Sequence, residues 1–203
     1  MNQTMSYCLS LVSVTVAVAL ASAPSVAADA GPLPNGSFAA GQSPWTVHSE
    51  KDARATWRIE AVDGNPSAVI EVTAAGKSNH VQFACPFPSA ALGKPRVYEL
   101  SFRCRATSAR TIRVVLLERG KPWGSAGLGE NVRVGTIWQT FSFVFRNKPV
   151  KQEMVKLDFF LGANLGKVWL DDVVLTPLRN GERPPVARQV SSGDSELGLG
   201  DDG

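Results

Sequence analysis

Few side chains in this sequence are of a type and spacing that could do covalent chemistry. There are two histidines, His48 and His80, and neither sits in a Ser-His-Asp arrangement. No histidine cluster exists that would suit zinc or copper. Bond hydrolysis by a carboxylate pair needs two acids facing one another across the bond. On outward-facing strand positions only Asp158 offers itself, and Glu118 has the opposite parity. No catalytic residue is assigned. What remains is the chemistry of contact. Trp123 lies in the turn Gly120-Lys121-Pro122-Trp123-Gly124, where a large apolar side chain is unexpected unless it is used. Arg113, Gln82, His48 and Lys156 supply hydrogen-bonding groups. A flat ring covers an apolar surface, and a guanidinium or amide meets polar rims with paired bonds.

Those groups need strands to hold them. Between residues 35 and 178 the hydrophobic period is two rather than 3.6. In 97–105, Leu100, Phe102 and Cys104 point one way, while Glu99, Ser101, Arg103 and Arg105 point the other. Segments 111–117, 140–146, 156–161 and 167–175 alternate similarly and are rich in β-branched and aromatic residues. Turn sequences separate them, among them Asp63-Gly64-Asn65-Pro66, Gly93-Lys94-Pro95 and Asn164-Leu165-Gly166. No segment carries a helical stripe. The expectation is an all-β antiparallel β-sandwich of the jelly-roll kind with about ten strands.

The ends read differently. The apolar, uncharged run 9–21 and the Ala-rich sequence to Ala28 read as an export signal over residues 1–28, with a short linker over 29–34. The run is shorter than the roughly 20 residues a membrane span requires. A secreted or otherwise extracytoplasmic protein is expected, with no membrane span after signal removal. Residues 179–203 are rich in Gly, Ser, Pro and acid and are expected to be a disordered tail. The chain has 203 residues and a net charge of +3. Its basic residues are scattered, which argues against nucleic acid as a partner. Cys85 and Cys104 both fall on inward strand positions. An exported protein permits a disulfide between them, and two buried thiols are equally compatible with the sequence.

The stretch 35–175 resembles carbohydrate-binding modules of the family 4/9 type. The resemblance is carried by Asn35-Gly36-Ser37-Phe38 followed by Pro44-Trp45-Thr46, and by Tyr98-Glu99-Leu100-Ser101-Phe102-Arg103-Cys104-Arg105-Ala106. It continues through Ala109-Arg110-Thr111-Ile112-Arg113-Val114 to Gly120-Lys121-Pro122-Trp123, then Thr136-Ile137-Trp138-Gln139. Phe159-Phe160-Leu161-Gly162 and Val168-Trp169-Leu170-Asp171-Asp172-Val173 complete it. The resemblance implies a jelly-roll sandwich with a sugar-binding face, no catalysis and a structural Ca²⁺ ion. It implies a polysaccharide or oligosaccharide as partner, and a separate glycoside hydrolase, since such modules commonly accompany polysaccharide-degrading enzymes. Trp123 matches the family's stacking aromatic, Arg113 a ligand-binding arginine, and His48 a position that can hold a stacking aromatic. Asp171 matches the calcium-binding aspartate, with backbone carbonyls around Ser37 and Ser67. Ala39-Ala40 stands where the family often has an acidic pair.

Strand parity predicts the groove. Val114, Leu116, Leu157, Phe159 and Leu161 face the core. Gln82, Ala84, Arg113, Val115, Leu117, Arg119, Lys156, Asp158 and Phe160 face the other way, so Gln82, Arg113, Lys156, Asp158 and Phe160 should share one open sheet. Trp45 and Trp138 are expected in the core, and Trp169 packed at a sheet edge. Two other classes fit the same fold: a secreted protein-interaction or adhesion domain, and a polysaccharide lyase built on Arg, Lys and Ca²⁺.

Overall fold

The structure, a computed structural model, describes residues 31–94 and 96–178. The expected export signal and C-terminal tail lie outside the described residues. The alternation read from the sequence becomes ten antiparallel strands. They are β1 (Thr46–Ser49), β2 (Arg54–Val62), β3 (Asn65–Ala74), β4 (Val81–Pro88) and β5 (Val97–Ala106). β6 (Arg110–Glu118), β7 (Ser125–Val134), β8 (Gln139–Arg146), β9 (Met154–Phe160) and β10 (Gly166–Pro177) follow. Two five-stranded sheets result, one in the order β1-β4-β9-β6-β7 and the other β2-β3-β10-β5-β8. They stack as a β-sandwich, as expected. Two single 3-10 turns, Ser78–His80 and Ser89–Leu92, flank β4.

The inner faces bury the apolar half of each alternating strand. β5 shows this most plainly: Tyr98, Leu100, Phe102, Cys104 and Ala106 are buried, and the residues between them are half-buried. Aromatic contacts join the layers. Phe102 of β5 meets Phe159 of β9 edge-on, with centroids 5.2 Å apart at 88°. Trp45 is 2% exposed and stacks on Phe83 at 5.0 Å and 18°. Fully burying a side chain of this size contributes on the order of 2–3 kcal/mol. Cys85 and Cys104 are free thiols facing this core from opposite sheets. Burial pushes the Cys85 thiol up to about 12 and raises Cys104 also, so neither is a reactive thiolate.

The Asn35-Gly36-Ser37-Phe38 motif is structural. Asn35 takes a positive φ of 50°, and its amide donates to the carbonyls of Gly41 (2.7 Å) and Ser43 (2.8 Å). Its backbone carbonyl accepts from Trp45 Nε1 at 3.0 Å, while Phe38 packs against the same indole. A Cβ on Gly36 would lie 1.7 Å from the Val173 carbonyl oxygen, so only glycine lets this segment pass β10. Leu33, left in the short linker by the sequence reading, packs into the core.

Two tryptophans depart from expectation. Trp138 is not in the core. It precedes β8 on the outer side of the second sheet, with the guanidinium carbons of Arg103 and Arg105 5.0 and 5.1 Å from its centroid. Trp169 is not at a sheet edge, because β10 is the central strand. Arg105 also lies 4.7 Å from the Trp169 ring. The alternating hydrophobic pattern assigned these rings to packing, but cation–π pairing holds them on an outer surface instead.

Candidate ligand groove

The outer face of the first sheet is a groove of about 850 Å³. Its floor follows from strand register. His48, Gln82, Phe160 and Arg113 stand side by side across β1, β4, β9 and β6. One step along, Thr46, Ala84, Asp158 and Val115 form the second row. Pro86, Lys156 and Leu117 form the third. Trp123, from the turn between β6 and β7, closes one end. All five residues singled out as ligand contacts, Trp123, Arg113, Gln82, His48 and Lys156, thus line one groove. Glu50, Ser78, Asn79 and Arg119 line it too, and sequence reasoning did not single these out as contacts. Glu50, Ser78 and Asn79 come from connections between strands, where period-two patterning gives no signal.

Trp123 is 49% exposed, an unusual state for an indole. Its backbone has φ 62°, a left-handed conformation that a bulky residue seldom adopts. The turn is closed by Trp123 N–H donating to the Gly120 carbonyl at 2.7 Å. The Lys156 ammonium lies 5.4 Å from the ring centroid. Strain and exposure together, about 1–3 kcal/mol for the backbone alone, fit a side chain held out for contact.

Beneath the ring the polar groups form a chain. Lys156 Nζ donates to Gln82 Oε1 at 2.7 Å and lies 2.6 Å from Asp158 Oδ2. Gln82 Nε2 donates to the Asn79 carbonyl at 3.0 Å and to Glu50 Oε1 at 3.4 Å. His48 Nε2 is 3.6 Å from the same Glu50 oxygen. Asp158 is fully buried, and the Lys156 ammonium against its Oδ2 is its compensation. Burial pushes its carboxyl up from 3.8 to about 6, and the Lys156 ammonium opposes that rise. Strand parity gave Asp158 an outward direction, but Lys156 and its neighbours cover it. It is a support for the groove floor rather than part of its surface.

The candidate metal residues lie elsewhere, at β10. Asp171 and Ser67 come together, with Ser67 Oγ donating to Asp171 Oδ2 at 3.3 Å. Asp171 Oδ1 accepts from the Asp172 N–H at 2.8 Å, and Arg103 is 3.9 Å from Oδ2. Ser37 follows Gly36, whose carbonyl accepts from Val173 N–H at 3.0 Å, which brings the first loop to the same strand. Asp171 is 3% exposed, and burial raises its carboxyl above the ordinary value. A buried carboxylate beside a serine hydroxyl, on the strand that the first loop's backbone joins, offers hard oxygen donors of the kind a hard cation takes. Among the described residues no group of three or more His, Cys, Asp or Glu side chains could hold a metal, so an ion here would depend on backbone oxygens.

The fold is a β-sandwich with an open groove on one outer face, and comparison supplies the family. The family model described as "Carbohydrate binding domain" matches residues 33–168, and the chain belongs to that family. A solved CBM4 structure is similar at 25% identity, covering 72% of this chain and 99% of its own, with a TM-score of 0.62. The N-terminal cellulose-binding domain of Cellulomonas fimi β-1,4-glucanase C matches at 17% identity, over 73% of this chain and 98% of that one, with a TM-score of 0.54. The second N-terminal cellulose-binding domain of the same enzyme matches at 22% identity, over 73% and 95%, with a TM-score of 0.52. Among curated proteins no match is found. Domains of this family are generally non-catalytic binding modules. No helix among the described residues is long and apolar enough to cross a membrane.

Proposed function

We propose that this chain is an exported, non-catalytic module that binds a polysaccharide or oligosaccharide by aromatic stacking and hydrogen bonding in the groove. The observation that carries the reading is the half-exposed Trp123 indole at the end of a groove whose floor presents Arg113, Gln82, His48 and Lys156. A pyranose offers an apolar C–H face and a hydroxyl rim, which match an indole and a polar floor. Covering about 60 Å² of C–H surface contributes on the order of 1.5 kcal/mol. A few such contacts, less the cost of ordering the sugar, give affinities in the micromolar to millimolar range. A separate glycoside hydrolase is the partner this role would serve.

A Ca²⁺ ion, held by Asp171, Ser67 and carbonyls around Ser37, would stabilise the fold away from the groove. It would supply positive charge to the buried carboxylate and no step of binding.

Affinity electrophoresis across β-glucans, xylans, mannans and cellulose, with and without chelator, tests the reading. Retardation by at least one glycan, lost in Trp123→Ala with the fold intact, is expected. Chelation should lower the melting temperature and leave glycan affinity nearly unchanged. Absence of any glycan binding at millimolar sugar would favour a protein-interaction role, and release of sugar products would indicate an enzyme.

A further inference from the structure

Some charged groups of the groove are paired within the chain and others are not. Besides Asp158, four charged side chains reach the groove or its rim, Glu50, Arg113, Arg119 and Lys156, together with the imidazole of His48. Lys156 is neutralised by Asp158, and Glu50 accepts from Gln82 and faces His48. Arg113 and Arg119 are exposed, and neither has an acceptor or acidic partner among the described residues. Of the other described arginines, Arg54, Arg58, Arg103 and Arg110 meet carbonyls or carboxylates of their own chain, and Arg105 lies over two tryptophan rings; Arg96, Arg133 and Arg146 have no such partner either, but lie outside the groove. Two guanidinium groups of one sign therefore stand in the groove without an acceptor, against the single carboxylate of Glu50, which already accepts from Gln82.

Their positions matter as much as their number. Arg113 lies in the row of His48, Gln82 and Phe160, while Arg119 follows the end of β6 beside the Trp123 turn. Six residues of extended chain separate them, roughly 20 Å at 3.3 Å per residue. That is too far for one small anion to bridge. A polymer carrying an acidic group on successive units could meet both. Guanidinium presents a planar fork that matches a carboxylate with two parallel bonds. The indole of Trp123, adjacent to Arg119, needs a flat apolar partner that a bare polyanion lacks.

Resting on the reading of this groove as a sugar site, we infer that its ligand is an acidic polysaccharide. Its carboxylates, as in a polyuronate, would pair with Arg113 and Arg119 while a pyranose ring stacks on Trp123. Lys156, neutralised by the buried Asp158 beneath it, is part of the polar floor between these two anchors.

Binding of polygalacturonate, its fully methyl-esterified form and poly-glutamate tests this, each measured at about 50 and about 500 mM NaCl so that screening is varied. The wild-type protein should bind the acid form about tenfold or more tightly than the ester at low salt, and the preference should shrink at high salt. Arg113→Gln and Arg119→Gln should each reduce the preference about three- to tenfold, and the double variant should abolish it. Arg146→Gln, exposed on the opposite sheet, should leave it unchanged. Equal affinity for acid and ester, or a preference that survives the double variant, overturns the inference and leaves the sugar reading intact. Poly-glutamate bound as tightly as polygalacturonate would also overturn it, as charge attraction without sugar recognition. Failure to bind either pectic form or any neutral glycan overturns both.

Discussion

The two outer faces of this sandwich carry the same residue types and use them in opposite ways. On the second sheet, Arg105 lies between Trp138 and Trp169, with Arg103 also against Trp138. Arg103 in turn faces Asp171 and Asp172. Each ring there has a cation of the same chain, and each of those rings is half-buried. On the first sheet, Trp123 is half-exposed with only the Lys156 ammonium at 5.4 Å, a cation already paired with Asp158, and Arg113 and Arg119 have no acceptor among the described residues. Composition alone does not make a binding face. A Trp–Arg pair whose partners are each other is a closed unit that stabilises the fold, whereas the same groups kept apart remain available to a ligand.

The buried ion pair of the groove offers the largest test of this contrast. Lys156→Met should destabilise the protein by about 3 kcal/mol at pH 7.5, because it strands the Asp158 carboxylate in the floor. The sign of the pH dependence follows from the raised Asp158 pKa, about 6 against an ordinary 3.8. Between those values the folded state holds a proton that the unfolded chain has released. This group's contribution to stability is therefore full below pH 3.8 and falls as pH rises through 6. Without Lys156 the carboxyl rises further, so the loss in the variant should shrink toward zero near pH 4. Urea unfolding at several pH values measures it, and a loss independent of pH would show that Lys156 acts by packing alone.

A smaller effect is expected on the closed face. Trp138→Ala should cost about 1–2 kcal/mol through lost burial and cation–π contact. It should leave glycan retardation unaltered, and a fall in affinity would mean the second sheet also binds. Trp123→Ala should show the mirror image, with unfolding stability within about 0.5 kcal/mol of wild type. The indole is half-exposed, so little burial is lost, and alanine keeps the Cβ, so the backbone strain at φ 62° stays the same. A large drop in stability would make Trp123 a structural residue and remove the contrast.

Much of the architecture was legible from alternation. β5 keeps the inward and outward sets expected of it, and Val114, Leu116, Leu157 and Phe159 are all buried. The side chains that share the groove were legible from parity with the help of the family resemblance. Glu50, Ser78 and Asn79 were not, because they come from connections with no hydrophobic period. Trp138 and Trp169 were misplaced for a related reason. Alternation says which side of a strand a ring takes, but not that an arginine on the neighbouring strand will cover it.

By itself, the sequence settled the all-β class and the inward faces of the strands it marked, because period-two burial is a local property of a pleated backbone, and its motifs carried the family resemblance; β2, β3 and β7 were not marked. Tertiary structure decided which outward residues become neighbours. Gln82, Phe160 and Arg113 lie far apart in the chain and meet only because β9 inserts between β4 and β6. Whether a charge is free or already paired is likewise a question of lateral neighbours, and strand order alone sets them.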